Sequence, residues 1–380
     1  MNRILSVVER LSVGGIEDSL LMLCKNINRD QFRMEVCTLY DRGPLADEFE
    51  ALGVPVHNLA LNHRNYPANT LRIARFLRRH KFDIVHVQVV GPALATRLGT
   101  RLAGVPGLIV SIQNTYLQRS WLERLLDRWL AYFTDCIVAN SNAVKAFTTH
   151  QERISPDRFR VIHSSVDVNR FDPRLAWGAK VRQELGISSS HTVIGMVASL
   201  TEQKGHIYLL MAAAQILQRW PQVVLLIVGD GPLHKQLQEM VDQTGIAGRV
   251  IFSPSRRDLP NVLAAIDIFV APSLWEGFSL VILDAMAMQK AIVASDIPSI
   301  SEAVVDGVCG SLVPPRDPEA LADKINLLLS SPDLRIALGE AARQRAVEMF
   351  SVEVFVTHWE EFYRDSSGES GKGRCEFRYA

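Results

Sequence analysis

The stretch Val223-Val-Leu-Leu-Ile-Val228, followed at once by Gly229-Asp-Gly231, is the clearest indication of the fold. Six consecutive apolar residues that end at a glycine turn predict a strand buried on both faces, because a strand with one wet face alternates apolar and polar side chains. Strands of this kind form parallel sheets that are covered by helices on both sides.

The same pattern recurs along the chain, and each apolar run is followed by a helical stretch. The runs fall into two sets of five: Arg3–Val8, Met34–Leu39, Ile84–Val87, Gly107–Ile112 and Cys136–Ala139, then Val193–Ala198, Val223–Val228, Arg249–Phe252, Ile268–Ala271 and Ala291–Ala294. Two α/β domains are therefore predicted, each a Rossmann-like, doubly wound parallel sheet, with ligands at the carboxyl ends of the strands.

Composition changes place the domain boundaries. We predict a first domain at residues 1–168 and a second at 169–351, joined by a Pro- and Gly-containing linker at Asp167–Ser190. The amphipathic helix Val352–Tyr363 is expected to pack back on the first domain. The polar, Gly/Ser-rich residues 365–380 are expected to be a disordered tail.

The overall composition is that of a globular protein, with 380 residues and a formal net charge of zero. No run of about 20 apolar residues predicts a transmembrane helix, and the short apolar start is typical of a buried strand rather than of a secretory signal. A cytoplasmic location is the expectation. The basic excess of the first half indicates an anionic partner, and nothing indicates a nucleic acid.

The segment from Ala271 to Ala287, APSLWEGFSLVILDAMA, carries the strongest chemical pattern. A strand ends near Pro272, a loop carries Glu276 and Gly277, and a helix begins near Ser279. Free N–H groups and the positive dipole end make such a helix start a site for phosphate.

The segment also resembles the EGF-x(5)-E motif of the family 4 (group 1) retaining glycosyltransferases, which have the GT-B fold. Other segments resemble that family in the same order: Gly14-Gly-Ile-Glu17, Asp83-Ile-Val-His86, Val161-Ile-His-Ser-Ser-Val-Asp167, Lys204-Gly-His206, Val228-Gly-Asp-Gly-Pro232 and Gly310-Ser-Leu-Val-Pro314. The resemblance implies two domains that face a cleft and a retaining transfer of sugar from a nucleotide-diphosphate donor to a glycan or lipid-linked acceptor. It also suggests a role in cell-surface polysaccharide synthesis.

The resemblance assigns roles to individual residues. Glu276 would contact hydroxyls of the donor sugar, Asp284 would take the ribose role of the family's second Glu, and Lys204 would bind phosphate. We predict that catalysis depends on Glu276, Lys204 and Gln113. The predicted donor-binding residues are Gly14, Gly15, Ser199, Lys204, Glu276, Gly277, Phe278, Ser279 and Asp284.

No catalytic metal and no cofactor are expected, because the sequence has no Asp-x-Asp triplet and no local His/Cys cluster. A lysine and backbone amides would then stabilise the departing diphosphate of a UDP- or GDP-sugar. Gly229-Asp-Gly231 is not interpreted as a dinucleotide motif, since His234 stands where the third glycine would be. It is interpreted as a turn after a buried strand.

Several positions depart from the family pattern. Ser199 stands where the family often has Arg, and Arg256 or Arg257 is a candidate replacement for that cation. Gln113 stands where a His is common, and Gln does not titrate. These departures leave two alternatives open: a catalytically impaired, nucleotide-binding pseudoenzyme of the same fold, or a nucleotide-sugar epimerase.

Two basic, amphipathic stretches leave a membrane question open. One spans Arg64–Lys81, and the other combines Trp121, Leu125 and Trp129 with nearby arginines that include Arg119. Peripheral contact with anionic lipid is one interpretation. The other is that both helices pack their apolar faces on the sheet, with solvated arginines outward.

Overall fold

The computed structural model describes residues 1–12, 14–62, 65–88, 93–116 and 120–366. The chain divides into two compact units. One contains Met1–Ser164 together with the helix that begins at Val352, and the other contains Ser165–Ser351. The boundary thus lies four residues before the position expected from composition.

The first unit is built on a seven-stranded parallel sheet in the order β3-β2-β1-β4-β5-β6-β7. Its strands are β1 (Asn2–Val8), β2 (Phe32–Thr38), β3 (Val56–Asn58), β4 (Ile84–Val87), β5 (Gly107–Ile112), β6 (Cys136–Ala139) and β7 (Phe159–Val161). Its helices are α1 (Gly15–Asn26), α2 (Ala46–Ala51), α3 (Tyr66–His80), α4 (Ala93–Ala103), α5 (Trp121–Ala131) and α6 (Asn142–Glu152), and the last helix of the chain joins them.

The second unit is built on a six-stranded parallel sheet in the order β10-β9-β8-β11-β12-β13. Its strands are β8 (Thr192–Val197), β9 (Val223–Val228), β10 (Val250–Ser253), β11 (Ile268–Ala271), β12 (Ala291–Ser295) and β13 (Ser311–Val313). Its helices are α7 (Gly178–Glu184), α8 (His206–Arg219), α9 (His234–Gln243), α10 (Leu259–Ala265), α11 (Leu280–Ala287), α12 (Pro298–Ser301), α13 (Pro318–Ser330) and α14 (Pro332–Phe350).

Two doubly wound parallel sheets confirm the predicted fold class. Each of the ten predicted runs overlaps a strand. Nine of these strands are central, where both faces are buried and the apolar run is continuous, and the tenth, β10, is at an edge. The strands β3, β7 and β13 were not predicted. Each has three residues and lies at a sheet edge, where an apolar run is neither long nor required.

The predicted linker Asp167–Ser190 is instead packed into the second unit. Phe171 and Ile187 are buried in its core, and α7 lies against α10 so closely that Gly178 leaves no room for a side chain. A Cβ atom there would lie 2.4 Å from the carbonyl carbon of Ala264. The glycine therefore marks a helix–helix contact rather than a flexible connection.

The final helix, α15 (Val352–Ser366), packs in the first unit. It contacts α1, and its apolar face, including Phe355, Trp359 and Tyr363, is buried in the core beneath β1 and β4. The helix continues through Asp365 and Ser366, so the predicted tail begins later than residue 365. The remainder of the tail, residues 367–380, lies outside the described residues.

Candidate functional site

The strand order of the second unit reverses between β8 and β11, and the loops after these two strands carry Lys204 and Glu276. Ligands of open α/β sheets bind at such a reversal, because the neighbouring crossovers leave on opposite faces and a crevice opens above the strand ends. The topology therefore brings together two residues that are 72 positions apart in sequence.

A glycine makes this close approach of the two loops possible. After a single 3-10 turn at Glu202–Lys204, Gly205 adopts φ 72° and is the N-cap of α8. A Cβ atom on Gly205 would lie 2.0 Å from the carbonyl oxygen of Pro272. Only glycine satisfies both the left-handed conformation and the contact.

Lys204 and Glu276 form an ion pair, with 2.6 Å between Nζ and Oε1. The Glu276 carboxylate is 7% exposed and the Lys204 side chain 20%. Removing either partner would leave a largely buried charge without compensation. Two residues of the predicted site thus lie in direct contact.

Two residues that the sequence analysis did not single out hold Glu276 in place. Ser273 donates to Oε1 at 2.9 Å, and the Gln203 amide donates both to Oε2, at 3.3 Å, and to the carbonyl of Trp275, at 2.9 Å. The backbone of Leu274 donates to the carbonyl of Gln203 at 2.8 Å. The only sequence signal was their position beside Lys204 and Glu276.

The helix after Glu276 begins as predicted, with Ser279 as the N-cap of α11. The Ser279 side chain makes no capping hydrogen bond, so the first amides of the helix are not satisfied by it. Asp284 is partly exposed on this helix, and Gly277 is buried in the preceding loop. Phe278 instead packs in the core against Phe350, with 5.5 Å between ring centroids, so only its backbone is positioned to meet a donor.

The structure decides between the two proposed replacement cations. Ser199 is exposed in the loop after β8. Arg256 donates to Glu184 and to Asp258, each at 2.8 Å, and these contacts raise the pKa of its guanidinium. Arg257 is exposed. Because Arg256 is already paired, Arg257 is the better candidate of the two to bind an anion.

The turn at Gly229-Asp-Gly231 supports the loop that carries Ser199. A Cβ atom on Gly229, whose φ is 150°, would lie 1.9 Å from the carbonyl oxygen of Ala198, and one on Gly231 would lie 2.5 Å from that of Leu200. These glycines follow β9 and allow two backbone segments to touch. The interpretation as a turn after a buried strand agrees with this packing.

The first unit has its own polar pocket at the carboxyl ends of β4, β5 and β6. Gln113 lies there, its amide donating to the Gln88 side chain at 3.5 Å, while Asn140 donates to the Gln113 carbonyl at 2.9 Å. Among the described residues that line it, the polar ones are Ser19, His86, Gln88, Ser111, Gln113, Asn140 and Ser164. None of these is an acid, a lysine or an arginine.

His86 closes the floor of this first-unit pocket as a neutral group. Its two ring nitrogens contact the hydroxyl of Tyr363 at 2.8 Å and that of Ser111 at 2.7 Å, and Trp359 lies against its ring. Complete burial lowers the pKa of His86 to about 3. The imidazole is therefore uncharged at neutral pH and serves as a hydrogen-bonding support.

The glycines after β1 lie at the start of a helix. Gly14 is the N-cap of α1 and Gly15 is its first residue, with Glu17 in the first turn. A Cβ atom on Gly14 would come within 3.1 Å of the Glu17 carboxylate. Burial raises the pKa of the Glu17 carboxyl group.

One group of potential metal ligands is found within the described residues, at Glu35, His57 and His80 of the first unit. Glu35 is already paired with Arg3 at 2.8 Å, with Arg33 at 3.2 Å and with His57 at 2.8 Å. Two guanidinium groups on one carboxylate oppose the binding of a further cation there. This cluster belongs to β2, β3 and α3, whereas Lys204 and Glu276 belong to the second unit.

The two basic helices behave differently from each other. In α3 the apolar residues Ile73, Ala74 and Leu77 are buried against the sheet, as the packing interpretation expected; Arg64 lies outside the described residues. In α5 the buried face is Asp127, Leu130 and Ala131, because Asp127 pairs with buried Arg97 at 3.1 Å.

The apolar stripe of α5 consequently faces outward. The stripe consists of Trp121, Leu122, Leu125, Leu126, Trp129 and, beyond the helix end, Tyr132 and Phe133. Trp121 is 74% exposed and Trp129 47%. Packing on the sheet was therefore the wrong expectation for this helix; Arg119 lies outside the described residues. No helix in the described parts of the chain is long and apolar enough to span a bilayer.

Family models match both units. Residues 179–345 match the model for glycosyl transferases group 1, and residues 13–170 match that for glycosyltransferase family 4. A D-inositol 3-phosphate glycosyltransferase of Corynebacterium urealyticum is 30% identical over 81% of this chain and 78% of its own length. The UDP-Gal:alpha-D-GlcNAc-diphosphoundecaprenol alpha-1,3-galactosyltransferase of Escherichia coli is 27% identical over 93% of this chain and 94% of its own.

Solved structures share the fold. The Anabaena protein HepE, crystallised in complex with UDP, superposes with a TM-score of 0.84 over 96% of this chain and all (100%) of its own, at 23% identity. At that identity the likeness concerns the GT-B fold alone.

Proposed function

Since the chain belongs to the group 1, family 4 glycosyltransferases, we propose that it transfers a hexosyl group from a UDP-sugar to a glycan or lipid-linked acceptor. We further propose retention at the anomeric carbon, no catalytic metal, a cytoplasmic location and a role in cell-surface polysaccharide synthesis. The UDP-sugar is supported by the E. coli relative, whose name specifies UDP-Gal, and by HepE, which was crystallised with UDP.

The ion pair between Lys204 and Glu276 is the observation that carries this proposal. In the free protein each charge compensates the other at 2.6 Å. When a donor enters, the Lys204 ammonium is placed to transfer its contact to the diphosphate, and the Glu276 carboxylate to accept hydrogen bonds from sugar hydroxyls. Lys204 then exchanges its contact with Glu276 for one with the diphosphate, and Glu276 exchanges its contact with Lys204 for hydrogen bonds from the sugar. Because both groups keep a charge-assisted contact, the free-energy cost of separating the ion pair is limited.

The transfer itself breaks the bond between the anomeric carbon and the diphosphate oxygen, and the electron pair leaves with the diphosphate. Lys204, Arg257 and the first amides of α11 would stabilise the resulting negative charge. The acceptor oxygen then bonds to the anomeric carbon. Its proton passes to the departing phosphate oxygen, because the described lining of the first-unit pocket contains no carboxylate and His86 is a weak base.

The acceptor is proposed to enter the first-unit pocket with one hydroxyl group, because the cavity holds only about 20 Å³. Amides of Gln88, Gln113 and Asn140 and hydroxyls of Ser111 and Ser164 supply donors and acceptors without net charge. Such a lining suits the hydroxyls of a sugar. An uncharged glycan end fits this lining better than a phosphate does.

A combined binding and turnover experiment tests the proposal. Thermal shifts with UDP, GDP, ADP and their sugars, with and without EDTA, should show stabilisation by UDP and its sugars that EDTA does not abolish. Glu276→Gln should still be stabilised by UDP, because its ribose and phosphate contacts remain, yet it should lose transfer. Glu202→Gln, on the exposed side of the same loop, is the matched control.

The alternatives have their own signatures in that experiment. Stabilisation by UDP with no transfer to any glycan acceptor would indicate the pseudoenzyme. Turnover of the UDP-sugar without an acceptor, to an epimer, would indicate the epimerase. No stabilisation by any nucleotide would refute the use of a nucleotide-sugar.

The outward stripe of α5 supports a second proposal, peripheral contact with an anionic bilayer. Trp121, Leu125 and Trp129 are exposed on one side of a helix whose flank carries Arg124 and Arg128. Aromatic and leucine side chains bordered by arginines are typical of helices that lie in the membrane interface. A lipid-linked acceptor would make this contact useful, and the E. coli relative is named for a diphosphoundecaprenol acceptor.

Vesicle flotation tests the membrane contact. The protein should float with phosphatidylglycerol-containing vesicles at low salt and less at high salt, and Trp129→Ser should weaken flotation at both. Leu71→Ser is the control, because Leu71 is an exposed apolar residue on α3, away from the stripe. Failure to bind anionic vesicles at low salt would refute the contact.

A further inference from the structure

A small basic pocket lies beside the end of α5. It is lined by Arg128, Ala131, Tyr132, Arg153, Ile154, Ser155 and Arg158 and encloses about 80 Å³. A single phosphate group is of that size. Three arginines line this space, which is open to solvent.

Two of the three arginines have no other engagement. Within the described residues the guanidinium groups of Arg128 and Arg153 have no hydrogen-bond or ion-pair partner, and both side chains are exposed. Arg158 donates to the carbonyl of Thr134 at 3.3 Å and is in the field of Asp157. The Asp157 carboxylate offsets part of the positive charge. The pocket remains positive because the guanidinium groups of Arg128 and Arg153 have no such partner in the part of the chain that the structure describes.

Arg153 stands at a turn of the backbone beside this pocket. Arg153 caps α6 in the left-handed conformation, with φ 54°. That conformation reverses the chain at once, and the next residue, Ile154, is buried in the pocket wall. The strain of a non-glycine residue with positive φ is of order 1 kcal/mol or more, and it is retained at a position exposed to solvent.

The pocket lies at the edge of the sheet opposite to the first-unit polar pocket. Arg128 and Tyr132 shortly precede β6, and Arg153 and Arg158 shortly precede β7, so they are near the strand beginnings. Gln113 and Asn140 follow β5 and β6 at the strand ends. The basic pocket is therefore separate from the proposed acceptor site, and it adjoins the exposed Tyr132 of the α5 stripe.

We propose that Arg128, Arg153 and Arg158 form a site for the phosphate of an anionic phospholipid headgroup, which fixes α5 on the bilayer. The inference rests on the proposed membrane contact. The apolar stripe supplies attraction to the interface, and the pocket supplies a fixed point at one end of the helix. Guanidinium groups suit this role, because their planar donors bind phosphate oxygens in pairs.

The test compares charge with geometry. Binding of the full chain to phosphatidylcholine vesicles with and without phosphatidylglycerol is measured for wild type, Arg153→Lys and Arg75→Lys. Arg75 is an exposed arginine on α3 in the same unit. Lysine suits the backbone at residue 153, since Lys81 ends α3 in the same left-handed conformation. Both variants keep the net charge.

A headgroup site predicts that Arg153→Lys weakens binding to phosphatidylglycerol vesicles by about fivefold, while Arg75→Lys leaves it unchanged. Equal binding of both variants and wild type would overturn the site and leave the membrane contact standing. No binding of wild type to either vesicle would overturn the membrane contact and this inference with it.

A soluble phosphate is the other source of the same chemistry. Thermal shifts in sodium phosphate are compared with those in sodium chloride at equal ionic strength. Stabilisation of wild type but not of Arg153→Lys, with equal vesicle binding by both, would assign the pocket to free phosphate and overturn the lipid assignment.

Discussion

Both units carry polar groups at the carboxyl ends of strands in a doubly wound sheet, yet these groups differ in charge. In the second unit, the loops after β8 and β11 present a buried ion pair, Lys204 with Glu276. In the first, the ends of β4, β5 and β6 present amides and hydroxyls above a neutral His86. The same sheet topology therefore supports a charged site in one unit and an uncharged site in the other.

The difference follows from what each proposed ligand brings. A nucleoside-diphosphate sugar carries negative charge that increases as the leaving group departs, so its site needs a cation that is held ready. A glycan end carries only hydroxyls. A charge facing it would cost desolvation without a partner to compensate. We therefore expect the removal of a charge to matter most in the second unit and the addition of a charge to matter most in the first.

The sharpest way to break this comparison is to remove the cation. Lys204→Met should lower kcat/KM by about 10²- to 10³-fold, because the diphosphate charge loses its main stabilising contact. Steady-state transfer kinetics measure this. Lys235→Met, at a position 90% exposed, should change kcat/KM little.

The Lys204→Met result needs a check on folding, because the variant leaves the Glu276 carboxylate unpaired. The double variant Lys204→Met/Glu276→Gln removes both charges and should recover stability but not activity. A Lys204→Met enzyme within threefold of wild type would contradict the role of Lys204 in phosphate stabilisation.

Lys204 and Glu276 of the second-unit site could be predicted, because the sequence just before each of them is informative by itself. Lys204 and Glu276 each follow a continuous apolar run, and consecutive strand ends of parallel sheets lie at one edge. Gln203 and Ser273 were not predictable, since their roles depend on contacts across 73 and 3 positions that no motif records. In α5, amphipathicity located a helix but not its inward face, which the long-range pair of Asp127 with Arg97 determines.

The edge strands and the supposed linker failed for a related reason. β3 is half-exposed, so it lacks the continuous apolar run of a central strand. Gly178 was assigned to a linker, whereas it permits close contact with Ala264. A single glycine in a sequence does not show whether it allows motion or contact.

The loop contact beneath the ion pair gives the next largest effect. Gly205→Ala should lower the free energy of unfolding of the second unit by about 3 kcal/mol, from positive φ and the clash with Pro272 together. Gly245→Ala is the matched control: its φ is 69° and nothing lies within 4 Å of its Cβ position. It should cost about 1 kcal/mol. Denaturant unfolding measures both, and equal costs would show that the loops do not need this contact.

The first unit should lose stability in acid, because His86 is buried as an uncharged group. The pKa of His86 is about 3 in the folded chain, against about 6.5 when it is unfolded. The unfolded chain therefore binds the additional proton between these values, and stability falls as the pH drops below about 6.5. The loss by pH 5 should be about 2 kcal/mol.

Hydrogen exchange of the first-unit strands from pH 7 to pH 5 measures this loss. His86→Gln keeps a donor and an acceptor for Tyr363 and Ser111 but does not titrate, so its strands should show a smaller pH dependence after correction for intrinsic exchange. If His86→Gln loses as much stability between pH 7 and pH 5 as wild type does, groups other than His86 cause the loss.

The smallest expected effect tests whether the first-unit pocket needs to be neutral. Gln113→Glu keeps the shape and adds a carboxylate beside the Gln88 carbonyl oxygen, 3.5 Å from the present amide nitrogen. The new charge should raise the acceptor KM about tenfold, through the loss of one donor and the repulsion of acceptor oxygens. The donor KM should stay constant.

Gln151→Glu adds the same charge on α6, where the side chain donates to the Tyr116 carbonyl, and should leave the acceptor KM within twofold of wild type. If both variants raise the acceptor KM equally, the net charge of the first unit is responsible and the contrast between the two pockets loses its meaning.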